Sequence, residues 1–227
     1  MGVYSGYPGN IYKNDVGIYA GGVYNDGGIY KEGAGGGEVV IGGRTYRTVN
    51  IGGNEWLAEN LDFKFSGLVV GSNSGTSSTQ PRGNYYDNDE ATYGVDGNKY
   101  GLLYNWIAVK YLDANRSSLI PGWHVPSADE WDLLANAVGG ASVAGTMLKS
   151  SLDWSSGAGT NDYGFSAIPA GYYYGIFGGL GKKANFWTST EYDINKAWYR
   201  GFDTRSSMDS YNPSKADQYS VRLVKDP

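Results

Sequence analysis

Residues 126–140, PSADEWDLLANAVGG, decide which fold class this chain joins. Ser127, followed three positions later by Glu130, is the reciprocal pairing that satisfies the first free amides of a helix. Trp131 and Leu134 then fall on one stripe, and Gly139-Gly140 supplies residues that end a helix. A helix with its own start and stop signals thus sits inside a chain whose flanks are β-prone. Just upstream, YGLLYNWIAVKYL at 100–112 brings Leu103, Trp106, Ile107 and Lys110 near one face and predicts a second helix. Just downstream, SVAGTMLKSS has room for a short third.

Farther out the period changes. EVVIGGRTYRTVNIGGNEWLAENL at 38–61 alternates apolar and polar residues, which predicts two strands joined by a glycine turn and a third bearing Trp56 and Leu57. Residues 66–84 read as a polar surface loop. After the helices, YGFSAIPAGYYY, ANFWTSTEY, KAWYRGF and YSVRLVK read as short strands between loops. Two helices set into a loop-rich β domain make an α+β fold, and its irregular connections are where function is expected.

The start of the chain differs from everything after it. Ile11-Tyr12, Ile18-Tyr19, Val23-Tyr24 and Ile29-Tyr30 alternate with Gly, Asn and Asp, each a β-prone pair followed by turn chemistry. Such units cannot bury a face alone, so residues 1–37 read either as an attachment or oligomerisation segment or as a flexible Gly-rich leader. GAGGG at 33–37 is expected to link this segment to a main domain at 38–227.

Composition excludes several classes of function. A net charge of -5 leaves no basic footprint, so a nucleic-acid partner is not expected. Zero cysteines remove disulfides, thiolate metal sites and cysteine nucleophiles together. MGVYSGYPGN has neither a basic start nor an apolar run, so neither a secretion signal nor membrane insertion is expected, with a removed signal left open. The 21 tyrosines supply apolar area with a polar tip, the chemistry of contact surfaces.

NEWLAENL, YYDNDEATYG, KYGLLYNW, PGWHVPSADEW, AGTMLKSS, GTNDYGFSAIPAGY, FWTSTEY, AWYRGF and YSVRLVKD occur in that order. They resemble the signature blocks of the Fibrobacter succinogenes major paralogous domain, from about Gly43 to Asp226. That family is similar to the C-type lectin and formylglycine-generating-enzyme fold group. The resemblance therefore implies a C-type-lectin-like domain with a small twisted sheet, two helices and many loops. Leu223 is a departure, since many relatives have a cysteine there. Relatives are typically secreted or lipid-anchored bacterial surface proteins. In the wider fold group, variable proteins of diversity-generating retroelements, some of them phage receptor-binding proteins, carry their mutable residues between a Trp-rich strand and the last strand. Residues 192–218 resemble such a region.

Catalysis finds little support in the residues. The oxidase of the fold group uses a cysteine pair, and this chain has none. His124 is the single histidine, which rules out a multi-histidine metal site within one chain, and its place before the helix cap suggests a structural hydrogen-bonding role. Asp87, Asp89, Glu90, Asp96 and Asn98 are hard oxygen donors of the kind calcium takes. Their spacing is not that of an EF-hand, and QPR at 80–82 lacks the acid of a sugar-binding tripeptide, so an acidic turn is the preferred reading. No cofactor is expected.

The candidate site lies near the C-terminus. Trp56, Trp106, Trp123, Trp131 and Trp187 are expected in the core. In KAWYRGF, Tyr199 and Phe202 are expected to face the core, with a bulge at Gly201 restoring the register and Trp198 and Arg200 facing out. Exposed Trp and Arg on a rigid strand are hot-spot types. DTRSSMDSYNPSKADQ reads as a loop too long for a hairpin, with the composition of a paratope. Tyr192, Asp193, Asn195, Trp198, Arg200, Asp203, Arg205, Asp209, Tyr211 and Asn212 are the candidate ligand-binding residues, with Tyr173 from YYYGIFGG at 172–179. The expected function is non-catalytic recognition of a cell-surface protein or glycan, on a phage tail fibre or a bacterial surface, with oligomerisation through residues 1–37. A polysaccharide-adhesion module and a carboxylate-based hydrolase are the alternatives.

Overall fold

The computed structural model describes residues 12–14, 17–19, 35–71, 76–94 and 100–227. In the leader, β1 (Tyr12–Asn14) and β2 (Gly17–Tyr19) pair antiparallel, with Tyr12 opposite Tyr19. The repeats at Val23-Tyr24 and Ile29-Tyr30 lie outside the described residues, as do Asp96 and Asn98. The end of the expected linker is already part of the domain. The Thr48 amide donates to the Gly37 carbonyl at 2.8 Å, and the Gly37 amide donates to the Thr48 hydroxyl at 2.8 Å.

β3 (Glu38–Ile41), β4 (Arg44–Ile51) and β5 (Asn54–Leu57) form the expected antiparallel meander. Its two turns are the pairs Gly42-Gly43 and Gly52-Gly53, with φ of 60°, 83°, 62° and 85°. Two successive positive φ values match the twist of the flanking strands and strain any residue with a Cβ. β6 (Val69–Val70), β7 (Arg82–Asn84), the one-turn helix α1 (Glu90–Tyr93) and β8 (Leu103–Asn105) follow.

The second predicted helix is shorter than expected, because residues 103–105 belong to the sheet. α2 (Trp106–Ala114) begins where the buried Asn105 side chain accepts the Ala108 amide at 2.9 Å. The same side chain donates to the carbonyls of Ser77 and Gln80, so one residue ends a strand, caps a helix and holds a loop. After α3 (Arg116–Leu119) and β9 (Trp123–His124), α4 (Ala128–Ala137) has the predicted capping box of Ser127 and Glu130. α5 (Ala141–Leu148) is the short third helix. The expected pair of helices is therefore five among the described residues, three of them longer than a single turn.

The remaining strands are β10 (Ala170–Tyr173), β11 (Phe177–Leu180), β12 (Ala184–Glu191), β13 (Ala197–Phe202), β14 (Met208–Tyr211), β15 (Gln218–Tyr219) and β16 (Val224–Lys225). One sheet has the order β3-β4-β5-β16-β9, so the last strand closes on the segment that opens the domain. The other runs β14-β13-β12-β10-β15-β8-β7-β6, with β11 added on β10. Among the described residues no helix is long and apolar enough to cross a membrane.

Strand alternation divides the interior in two. Phe186 of β12 packs with Trp56, Trp131, Phe165 and Phe202 under α4 and α5, whereas Trp187 packs with Leu57, Tyr104, Val109 and Leu112 beside α2. Both faces of β12 are thus covered. The five tryptophans expected in the core are all buried. Each buried large side chain contributes about 1.5–3 kcal/mol relative to exposure. The mixed α+β class follows from these contents.

Candidate binding surface

β13 carries Trp198 and Arg200 of the predicted site and stands between the segments that hold most of the others, and its neighbours set where each side chain goes. Trp187 stands opposite Tyr199, Phe186 opposite Arg200 and Ala184 opposite Phe202. The strand alternates without a bulge at Gly201. The irregularity is on β12, between Trp187 and Glu191. Arg200 and Phe202 therefore share one face, under α4, and Phe202 meets Phe186 at 6.1 Å.

Arg200 is accordingly not an exposed hot spot. It is 4% exposed, donates to Asp132 at 2.7 and 3.1 Å and to the Ala128 carbonyl at 3.0 Å, and so ties β13 to α4. The reason is that this face of β13 lies under α4 with a strand on either side, so the Arg200 side chain meets the helix rather than solvent. Trp198 follows the same alternation, is half-buried, and meets the exposed Tyr192 edge-on at 5.1 Å. Asp193 accepts the amides of Asn195 and Lys196 at 2.7 and 2.8 Å, which fixes an exposed turn around Ile194.

The opposite face of β13 holds a different group. Tyr199 lies opposite Tyr211 of β14, with ring centroids 5.6 Å apart, and meets Tyr219 of β15 at 4.9 Å. Tyr219 in turn meets the buried Trp187 at 4.9 Å. On β10, Tyr172 stacks on Tyr174 at 4.9 Å. Alternation puts Tyr172 and Tyr174 together and sends Tyr173 the other way, onto Phe177 at 4.7 Å. A row of tyrosines thus runs from the core outward to Tyr174 and Tyr211, each 49% exposed. Burial, with neighbouring phenols and carboxylates, pushes the hydroxyl pKa of Tyr199 and Tyr219 up, so both stay protonated donors.

Residues 203–218 are not one long loop. β13 and β14 form a hairpin, with Gly201 opposite Asp209 and Phe202 opposite Met208. Its turn, 203–207, is seated on backbone: a Cβ on Gly157 would come 2.1 Å from the Thr204 carbonyl oxygen, and one on Gly145 2.7 Å from that of Ser206. The buried Lys149 ammonium holds the turn from below, donating to the carbonyls of Asp203 and Arg205 at 2.8 Å each and to that of Gly157. Burial pushes its pKa down, and the Trp154 ring lies 4.8 Å away.

The charged residues of the turn answer one another. Arg205 pairs with Asp203 at 2.9 Å and with Asp209, and it donates to Tyr211. Lys183 reaches Asp203 at 3.2 Å. The hydrogen bonds from Arg205 hold the Asp203 carboxyl well below the usual carboxylate range. These side chains form a neutralised, pre-organised rim rather than a set of loose donors. The half-buried Asn212 follows β14 directly.

The predicted residues therefore divide into two groups. Asp203, Arg205, Asp209 and Tyr211 adjoin the tyrosine row, and Tyr192, Asp193, Asn195 and Trp198 gather at the other end of β13. The sequence reading took in Tyr172, Tyr174 and Asp217 only as parts of the stretches 172–179 and 192–218, expected Tyr199 in the core, and left Tyr219 outside both stretches. The alternation in YYYG was the one signal that favoured Tyr172 and Tyr174. Of the calcium candidates, Asp89 caps α1 by accepting the Thr92 amide at 3.0 Å, and among the described residues no three histidine or acidic side chains gather as a metal site.

No curated protein and no solved structure matches the chain. The family model described as the Fibrobacter succinogenes major domain matches residues 49–225, from the second half of β4 to the last strand. The match takes in the larger sheet, the five-stranded sheet apart from β3 and the start of β4, and the tyrosine row, so the chain belongs to the Fibrobacter succinogenes major domain family.

Proposed function

We propose that this protein is a non-catalytic recognition module on a C-type-lectin-like scaffold, and that it binds its partner with the tyrosine row and the β13–β14 turn. The observation that carries this reading is the exposure of Tyr174 and Tyr211 at the end of a row whose inner members are fixed in the core. Rigid aromatic side chains lose little conformational entropy on binding, and the seated turn needs little ordering. Tyr192 and Trp198 provide a second contact at the far end of the strand.

The partner is a protein or glycan on a cell surface, and the protein acts at the bacterial surface or on a phage tail. Residues 1–37 attach or oligomerise the module, so that several weak sites bind by avidity. The test uses purified full-length chain. Tyr174→Ala with Tyr211→Ala should reduce attachment to target cells at least about tenfold. The melting temperature should change little. Attachment equal to wild type would refute the surface, and sedimentation of the full chain as a monomer would remove the oligomer. Diversification by a retroelement requires an adenine-rich template copy of codons 188–224 beside a reverse-transcriptase gene, and a locus without both excludes it.

A further inference from the structure

We propose that Asp217, bonded to Tyr219 where Tyr219 meets the rest of the tyrosine row, receives a positively charged organic group of the ligand, an ammonium or a guanidinium. The inference rests on the recognition surface proposed above and names the chemistry at its centre. The register of β10 against β15, with Tyr173 opposite Gln218, brings Tyr172 beside Tyr219 on one face. Tyr199 reaches the same place from β13, 4.9 Å from Tyr219. The Tyr219 hydroxyl and the Ser214 amide both donate to the Asp217 carboxylate.

The other acids on this face already have cations. Asp203 pairs with Lys183 and Arg205, and Asp209 pairs with Arg205. Asp217 is half-buried, and no lysine, arginine or histidine among the described residues forms an ion pair with it. Burial holds its carboxyl above the usual range, the mark of a charge without a counter-ion. The surrounding phenols are neutral donors and present electron-rich faces. A cation on the ligand gains both the carboxylate and the rings, whereas a neutral group of the same shape gains the rings alone.

The two cases separate in a titration of the full chain, carrying ring-labelled tyrosine, with ethylguanidinium and with ethylurea, its uncharged isostere. Ethylguanidinium should give saturable shifts at Tyr172, Tyr199 and Tyr219 and bind at least about fivefold more tightly than ethylurea. Asp217→Asn should bring the two within about twofold of each other. The amide has the same shape and removes a charge that burial disfavours, so the variant should melt no lower than wild type. n-Butylammonium in a parallel arm distinguishes an amine from a guanidine source. Equal affinity for the urea, a preference that survives Asp217→Asn, or no saturable shift would each overturn the proposal. The urea comparison needs no variant, so it stands even if Asp217→Asn folds poorly. If these fail while the Tyr174 and Tyr211 variant still loses attachment, the surface is right and its centre is not cationic.

Discussion

His124 is held from both sides. Its Nδ1 lies 2.7 Å from Asp226 and its Nε2 2.7 Å from Glu130. The hydrogen bond with Glu130 leads in raising the imidazole pKa above 6.5, against burial and with help from Asp226. Burial pushes Glu130 the other way, yet its bonds from His124 and Ser127 hold it down at about 2. A raised histidine contributes its full stabilisation below 6.5 and loses it as pH climbs through the folded value. A lowered glutamate contributes above 4.5 and loses it as pH falls toward 2. The urea midpoint of the wild type should therefore be highest between these two limits and decline on the alkaline side. His124→Gln should flatten that decline and cost about 1–2 kcal/mol at about pH 5.5. A wild-type midpoint that stays level from about pH 6 to about pH 9 would contradict the clamp. The structural role of His124 was legible beside the cap, but Asp226 is 102 residues away and no local pattern could name it.

At the scale of elements, the β13–β14 turn depends on a side chain from elsewhere. Lys149 follows α5 and satisfies carbonyls of residues 157, 203 and 205. Lys149→Met keeps most of the apolar stem and leaves those buried acceptors unpaired, so it should destabilise the fold by about 2–4 kcal/mol. Hydrogen exchange should quicken at the amides of 204–207 ahead of those in β12. Unchanged exchange there would mean that close backbone packing on Gly145 and Gly157 seats the turn without the ammonium. α4 was legible because capping and its apolar stripe are local. β14 was not, because MDSY sends Met208 to the core under α5 and Asp209 and Tyr211 to the tyrosine face, which reads in isolation as polar loop.

For the whole molecule, Arg222 joins segments that lie far apart in the chain. It is fully buried, stacks 4.7 Å from the Phe165 ring, and donates to Asn60 Oδ1 and to the carbonyls of Leu57, Phe165 and Ser166 at 2.7–2.9 Å. Burial without a touching carboxylate pulls its pKa down to about 9. Arg222→Leu leaves four buried acceptors without a donor, and equilibrium unfolding should show a loss of about 3–5 kcal/mol. A loss under about 1 kcal/mol would mean that water or repacking replaces the donors.

Arg200 makes the complementary point. It stands in a strand beside Trp198, and its residue type suggests exposure, yet it serves the interior. Hydrophobic period, capping and twin glycines are properties of neighbouring residues, so the sequence by itself determined the α+β class, α4, the opening meander, the buried tryptophans and membership of the family. Which face of β13 meets a helix, which tyrosines form a row and which acids of the tyrosine face are held in ion pairs are properties of strand order and register. Those arise only when β10, β12 and β15 come together across tens of residues, and the tertiary structure alone decided them.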